Sequence, residues 1–435
     1  MIKLMFILLF EFSYCALYAQ QKEWTLVDCV EFALSNNINL KKQKNALKLS
    51  ALNFNKSKLD ILPTLNANIS QNFNFGKNAS PEDNQYIDLN TKSSNFSISL
   101  SIPLTEQISN YKTLKIKKID FQASLLELEQ AKEDISLNVT SAFLQILYQH
   151  ELMCISRRQC ELSNEFYNKV VKKRGLNVVS KIDVSNAKVE ALQDQYNLVQ
   201  TKNEFDQALS NLKQLINLPT NEDFKIKFSD SVSFDKEIIP ELNDIYCLAV
   251  NKNSGIKAAQ YRLQSQVNSI SLTKMLLVPN LSLQLGVNTG YYILDGVSTN
   301  TFRRQWNNNM NKSIMLNLSV PLFNHFETFS RIKEAKIQLS EQKITLEGIK
   351  QDLYRNIQET YLKIIDSLRK MEVSEYVVIA SSEYYNQIHD KYLIGKATMY
   401  ELNEAKTKAL KAKIENLQTK YEYVFNLKIL KYYTQ

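Results

Sequence analysis

Four stretches of the chain alternate strictly between apolar and polar residues. Leu65, Ala67, Ile69, Phe73 and Phe75 interleave with Asn66, Asn68, Ser70, Asn72 and Asn74. Phe96, Ile98, Leu100 and Ile102 interleave with Ser97, Ser99 and Ser101. Leu281, Leu283, Leu285 and Val287 alternate with Ser282, Gln284, Gly286 and Asn288; Ile314, Leu316, Leu318 and Val320 alternate with Met315, Asn317 and Ser319. A period of two predicts strands with one apolar and one polar face. Pro103 and Pro321 close the second and fourth runs. Elsewhere the pattern is helical. The spacing predicts first helices over about 26–60 and 242–276, ending at Pro63 and Pro279. Very long helices follow over about 105–172 and 323–390, where Gly348 is the only glycine and no proline occurs. Ile332, Ala335, Leu339, Leu346, Ile349 and Leu353 keep heptad spacing there, as do Leu114, Phe121, Leu128, Ala131 and Ile135. Such spacing predicts a coiled-coil seam. After a short break come return helices, about 182–216 and 400–432, striped by Ala187 and Ala191, and by Ala405, Ala409 and Ala412.

The elements occur in the same order twice because the chain is a tandem repeat. Leu26, Asp28, Ala33, Asn37 and Lys41 recur as Leu242, Asp244, Ala249, Asn253 and Lys257. Ile102-Pro103-Leu104 recurs as Val320-Pro321-Leu322, and Ser180, Asp183, Val184, Ala187 and Lys188 as Thr398, Glu401, Leu402, Ala405 and Lys406. The expected organisation is a leader over 1–19, a first repeat over 20–218, an equatorial linker over 219–240 and a second repeat over 241–435.

Composition narrows the class. Eight Gly and seven Pro in 435 residues leave few places to interrupt an element. At roughly 1.5 Å rise per residue, the long helices extend on the order of 100 Å. A mean hydropathy of −0.30 excludes a polytopic helical membrane protein. The formal charge of +8 is spread without a basic block, so nucleic acid is not implied. No phosphate loop, nucleophile elbow or zinc-protease motif occurs, and His150, His325 and His389 lie far apart, with no metal spacing to another His or Cys expected. The reading is of a non-enzyme without cofactor or metal. Lys3, the apolar run from Leu4 to Phe10 and Leu17-Tyr18-Ala19 predict a cleaved export signal. Cys29, Cys154, Cys160 and Cys247 would remain; buried free thiols are expected, with a Cys29–Cys247 bridge left open.

Export combined with four strands of about ten residues points to an outer membrane, where such strands cross at a tilt. Four strands cannot close a barrel alone, and an open edge in lipid leaves backbone groups unsatisfied. The chain must then contribute part of a barrel completed by other protomers. The expected lipid-facing residues are Leu65, Ile69, Phe96, Ile98, Leu100, Leu281, Leu283, Leu285, Ile314, Leu316 and Leu318. Tyr291, Tyr292, Phe302 and Trp306 would form an aromatic girdle. The alternative is a soluble periplasmic coiled-coil adaptor or scaffold, whose strands pack a two-layer core.

The doubled layout, the opening Trp24-Thr25-Leu26 with Ala33-Leu34 and Asn37, the strand-closing Pro motifs and the paired turns resemble the TolC family of outer-membrane efflux proteins. The resemblance covers essentially the whole mature chain. It implies a mainly α fold with a transmembrane β portion: a periplasmic α-barrel of long coiled helices, and four strands per protomer in a twelve-stranded barrel of a homotrimer. It also implies a passive exit duct for tripartite efflux or type I secretion, working with a periplasmic adaptor (membrane fusion) protein and an inner-membrane pump, and seated in outer-membrane lipid. Family turns carry Gly, then Ser or Thr, then Asp or Glu, then Val or Leu. Gly395, Thr398, Glu401 and Leu402 match this pattern; Asn177, Ser180, Asp183 and Val184 match it with Asn in place of Gly. The resemblance makes these turns the periplasmic entrance and adaptor-docking site.

Overall fold

The long elements follow from the scarcity of breakers. The protein's structure is a computed structural model, which describes residues 23–79, 85–88, 90–176, 178–219, 224–228, 234, 237–296 and 298–434. The expected leader and Asn177 lie outside the described residues. In chain order the elements are β1 (Glu23–Trp24), α1 (Leu26–Asn36), α2 (Ile38–Leu59), β2 (Thr64–Asn74), β3 (Lys77–Ala79), β4 (Tyr86–Asp88), β5 (Thr91–Pro103), α3 (Glu106–Gly175), α4 (Lys181–Leu215), β6 (Lys225–Ile226), α5 (Leu242–Lys252), α6 (Ser254–Thr273), β7 (Asn280–Leu294), α7 (Phe302–Asn308), β8 (Asn311–Ser319), α8 (Glu327–Leu393) and α9 (Met399–Thr434).

The expected single first helix of each repeat is in fact two. Asn37 closes α1 by donating its N–H to Ala33 O at 2.8 Å. Its Oδ1 then accepts from the N–H groups of Asn39 and Leu40, at 2.9 and 3.2 Å, capping α2. Asn253 repeats the arrangement, bonding Ala249 O at 2.8 Å and capping Ile256 N at 2.8 Å. An asparagine oxygen satisfies amides that a fresh helix start leaves orphaned, so the break costs little backbone bonding.

The chain divides into two compact units, each drawing on both repeats. One comprises 1–44, 127–256 and 349–435. Its core includes Cys29, Ala33, Leu212, Ile216, Ile245 and Tyr423, all at 0% exposure, with Ala249 at 1%. The seam of long helices adds Val139, Ile146, Ile357 and Ile364, again fully covered. β1 pairs with β6 in parallel, and Phe228 of the linker stacks on His150 at 3.9 Å between centroids.

The other unit comprises 45–126 and 257–348 and holds a four-stranded antiparallel sheet in the order β2-β5-β7-β8. Its register aligns like with like. Leu65 pairs with Leu100, Leu100 with Leu285, and Leu285 with Ile314, making one apolar row across four strands. The next row is Asn66, Ser99, Gly286 and Ser313. A Cβ at Gly286 would lie 2.7 Å from Ser313 Oγ, so a larger residue there would force that side chain to turn away. The segment between β7 and β8, expected as a polar loop, contains α7. Gln305 of α7 is buried and clamps β7, its Oε1 accepting from Tyr292 N and its Nε2 donating to Tyr292 O, each at 2.9 Å.

Candidate functional site

Both interhelical turns are built by the same local chemistry. At the second, the N–H of Gly395 donates to Tyr392 O at 3.1 Å and that of Lys396 to Lys391 O at 2.8 Å. These bonds close α8 as a Schellman turn, with Gly395 left-handed at φ +73°. Thr398 then starts α9: its hydroxyl accepts from Glu401 N at 3.2 Å, while Glu401 Oε2 accepts from Thr398 N at 2.7 Å and from its hydroxyl at 2.9 Å. This is the reciprocal capping box that the residue spacing implies. The bonds from the Thr398 backbone and then its hydroxyl hold the Glu401 carboxyl below the usual carboxylate range.

The first turn matches. Val178 N donates to Lys173 O at 3.1 Å, the counterpart of the Lys396 bond. Ser180 Oγ accepts from Asp183 N at 3.1 Å, and Asp183 Oδ2 accepts from Ser180 N at 3.0 Å. The two turns meet in one apolar cluster. Val170, Ala187, Met399 and Leu402 are buried, with Val184, Phe166, Tyr385, Ile388 and Tyr392 packed around them. Of the eight turn residues expected from sequence, Val184 and Leu402 thus join the cluster. Ser180, Asp183, Thr398 and Glu401 are caps, Gly395 is the bend, and Asn177 is outside the described residues.

A node that the sequence pattern did not single out for this role sits two turns along from the caps. Lys406 Nζ lies 2.7 Å from Asp194 Oδ2, 3.2 Å from Glu190 Oε2 and 2.9 Å from Ser163 Oγ. Ser163 also bonds Asp194 directly, and both are buried. The node ties α3, α4 and α9 together. Its repeat counterpart, Lys188, is exposed.

All eleven residues expected to face lipid lie on one face of the sheet, as the register requires. That face is bare of other parts of the chain over much of its area. Leu65 is 69% exposed, Ile69 73% and Ile314 80%. At its loop end, Phe96 packs on Trp306 at 5.1 Å, and Phe302 sits 5.1 Å from Tyr291. Tyr292, expected in the same girdle, is on the opposite face. That opposite face carries Ser, Asn, Thr and Gln with a few glycines and apolar residues and no charge; the two strand lysines, Lys92 and Lys312, fall on the apolar face toward its loop end.

The family described as "Outer membrane efflux protein" matches residues 30–218 and 245–431, most of the chain and both repeats. The chain belongs to this family. It is similar to the outer membrane protein TolC of Salmonella enteritidis, at 21% identity over 413 residues, spanning 94% of this chain and 81% of that protein. The toxin and drug export protein A of Aggregatibacter actinomycetemcomitans is 20% identical over 93% of this chain and 84% of its own length. Among solved structures, the Campylobacter jejuni CmeC outer membrane channel superposes with a TM-score of 0.83 at 16% identity, covering 94% of this chain and 85% of that one. CusC gives 0.82 at 14% identity, covering 96% and 95%. An adaptor or scaffold reading is not favoured. This outer membrane efflux protein therefore has the mainly α fold with a β portion that its repeats imply, and its function is that of an outer-membrane exit channel.

Two sequence expectations are corrected. His150 and Cys154 do stand at a one-turn spacing, with Nε2 and Sγ 3.8 Å apart, although no group of three or more potential metal ligands occurs among the described residues. Burial pushes the His150 pKa down. Cys160 is buried as expected, but Cys154 and Cys247 are exposed. Cys247 is a free thiol, so no bridge joins it to Cys29. Both exposed thiols occupy outward positions of their helices, α3 and α5, which a count of cysteines does not reveal. No helix among the described residues is long and apolar enough to cross a membrane.

Proposed function

We propose that three copies of this efflux protein form a homotrimeric, passive outer-membrane exit duct, and that each copy supplies its four-stranded sheet to one twelve-stranded barrel. The observation that carries this is the sheet itself. It combines a bare, largely apolar face whose two lysines sit toward the loop end, an uncharged polar face and two edge strands, β2 and β8, without a partner strand among the described residues. The four strands alternate in direction, so β2 of one protomer is antiparallel to β8 of the next when the sheets are joined around a ring. Closure of that kind satisfies every edge amide in lipid, which an open sheet cannot do.

The eleven apolar residues named above then meet lipid, and the Ser and Asn rows line the pore. The turns around Ser180–Val184 and Gly395–Leu402 form the periplasmic entrance and the docking site for a periplasmic adaptor. Through that adaptor an inner-membrane pump supplies the energy for small-molecule efflux or type I secretion. Residues 1–19 act as the cleaved export signal, 219–240 as the linker between repeats, and no catalytic residue or cofactor enters the scheme.

Arginine substitution tests the face assignment. Leu283→Arg or Leu316→Arg should impair assembly, since a cation on the lipid face costs roughly 2–4 kcal/mol near the midplane. Gln284→Arg and Asn317→Arg should assemble and change conductance. Equal behaviour of the two pairs would refute the orientation.

A further inference from the structure

The short helix α7 lies across the apolar face of the sheet at its loop end. Trp306 packs on Phe96 and Phe302 on Tyr291, each at 5.1 Å, and Thr289 Oγ1 donates to Trp306 O at 2.8 Å. With Gln305 buried against β7 and both rings in contact with the sheet, Arg303 and Arg304 are left exposed. Two lysines of the same face flank the helix along the strands. Lys312 pairs with Val287, two residues short of Thr289, and Lys92 with Ile293, two residues beyond Tyr291. None of these four cations enters an ion pair among the described residues. Neither α7 nor any of the four strands contains a carboxylate. Asp88 and Asp295 are the described carboxylates of the two loop segments, and Glu82 and Asp83 lie outside the described residues. The long helices follow the opposite ends of the strands, after Pro103 and Ser319. With those helices in the periplasm, α7 stands at the level of the outer leaflet.

We propose that α7 is a headgroup site for a phosphorylated glycolipid of the outer leaflet, with Arg303 and Arg304 receiving its phosphate. The proposal rests on the lipid-facing reading above and goes beyond it by naming the lipid chemistry. A guanidinium matches phosphate oxygens with two parallel N–H donors, so an exposed Arg pair suits this group. Lys312 and Lys92 can lay their stems along the apolar face and carry their ammonium groups to the same polar layer. Phe302 and Trp306 hold the helix at the interface, where amphipathic rings are favoured. Cations this close to hydrocarbon are costly unless an anionic layer meets them. A zwitterionic headgroup would bring its own ammonium to these four, whereas a phosphate without one offsets them.

The test places the detergent-extracted full-length oligomer in phosphatidylcholine nanodiscs, with Trp24→Phe so that Trp306 is the remaining tryptophan. The discs are doped with diphosphoryl lipid A or with the same glycolipid stripped of its phosphates, each carrying brominated acyl chains. Quenching of Trp306 then reads enrichment beside α7. The phosphorylated lipid should reach half-quenching at a roughly tenfold lower mole fraction. Arg303→Gln with Arg304→Gln should bring the two lipids within about twofold of each other. Lys41→Gln with Lys42→Gln, which removes the same charge from α2, should leave the margin intact. Equal quenching by the two lipids, a margin that survives in the arginine variant, or one lost equally in the α2 variant would overturn the proposal. So would displacement of the lipid by millimolar inorganic phosphate, which would mark a site for a free anion. Brominated phosphatidylcholine alone reports the face assignment separately. Without quenching by it, α7 does not touch lipid, and the lipid-facing reading falls together with this one. If it quenches while the two glycolipids behave alike, only phosphate recognition fails.

Discussion

The two interhelical turns of this outer membrane efflux protein are related by duplication, and they diverge in an ordered way. What serves the backbone is common to both. Each has a six-to-one bond closing the incoming helix, a hydroxyl cap and a carboxylate returning the bond. Each also has an alanine at 0% exposure one turn beyond the box, Ala187 and Ala405. What serves long-range contact differs. Lys406 reaches Asp194, Glu190 and Ser163, whereas Lys188 stays in solvent. Glu190 and Asp194 themselves have Lys408 and Ala412 as counterparts. Local bonding constrains both repeats identically, since any helix start must satisfy its first amides. Side chains pointing between helices meet different neighbours in the two repeats and have been free to separate.

The largest expected effect breaks this comparison at the lysines. Lys406→Met leaves Asp194, only 7% exposed, without its cation. Hydrogen exchange of amides near Ser163 and Asp194 should then report local opening easier by about 3 kcal/mol, as for a buried pair deprived of one partner. Lys188→Met should change the same readout by less than about 0.5 kcal/mol. Similar values for the two would show that the node carries no stability.

Smaller and symmetric effects are expected at the alanines. Ala187→Leu and Ala405→Leu each force extra volume into a covered position and should cost about 2 kcal/mol apiece. Protease susceptibility at the turns should rise equally in the two variants. A clear inequality would mean that the repeats pack differently there.

The smallest effects belong to the caps. Ser180→Ala and Thr398→Ala should each weaken their helix start by about 1 kcal/mol. Glu401 adds a pH signature. Its folded-state pKa is depressed by the Thr398 bonds, so its contribution is complete above the ordinary carboxylate range and is lost as pH falls through the folded value. The protection factor at the second turn, after correction for the intrinsic slowing of exchange in acid, should therefore fall on acidification, and Thr398→Ala should flatten that dependence. An unchanged acid profile in the variant would contradict the cap assignment.

Much of this architecture was legible in the chain because it depends on short-range periodicity. Alternation from Leu65 to Phe75 marked a strand, the absence of Pro from α3 and α8 marked long helices, and Ser180–Asp183 and Thr398–Glu401 marked capping boxes. The helix breaks also carry a signal in the chain. Asn37 and Asn253 recur at one shift, and asparagine both ends and starts helices. The His150–Cys154 contact was likewise visible as a one-turn spacing. Other features were not legible. Lys406 and Asp194 are more than 200 residues apart, and nothing local announces which cation meets which carboxylate. The sharing of one apolar face by all four strands depends on register, and a slip of one residue would have inverted any of them.

The central claim, closure of one barrel by three sheets, is tested most directly by joining the sheet edges across protomers. In a background lacking the native cysteines, Asn66→Cys on β2 would be combined in turn with Ser313→Cys, Met315→Cys or Asn317→Cys on β8. All four positions lie on the polar face, and the two strands occupy opposite edges of the sheet within one chain. Oxidation of intact outer membranes should give, for the pair in register, a denaturing-gel ladder that ends at three chains, with neither single variant producing it. A ladder ending at two or four chains, or monomer alone from every pair, would contradict the account.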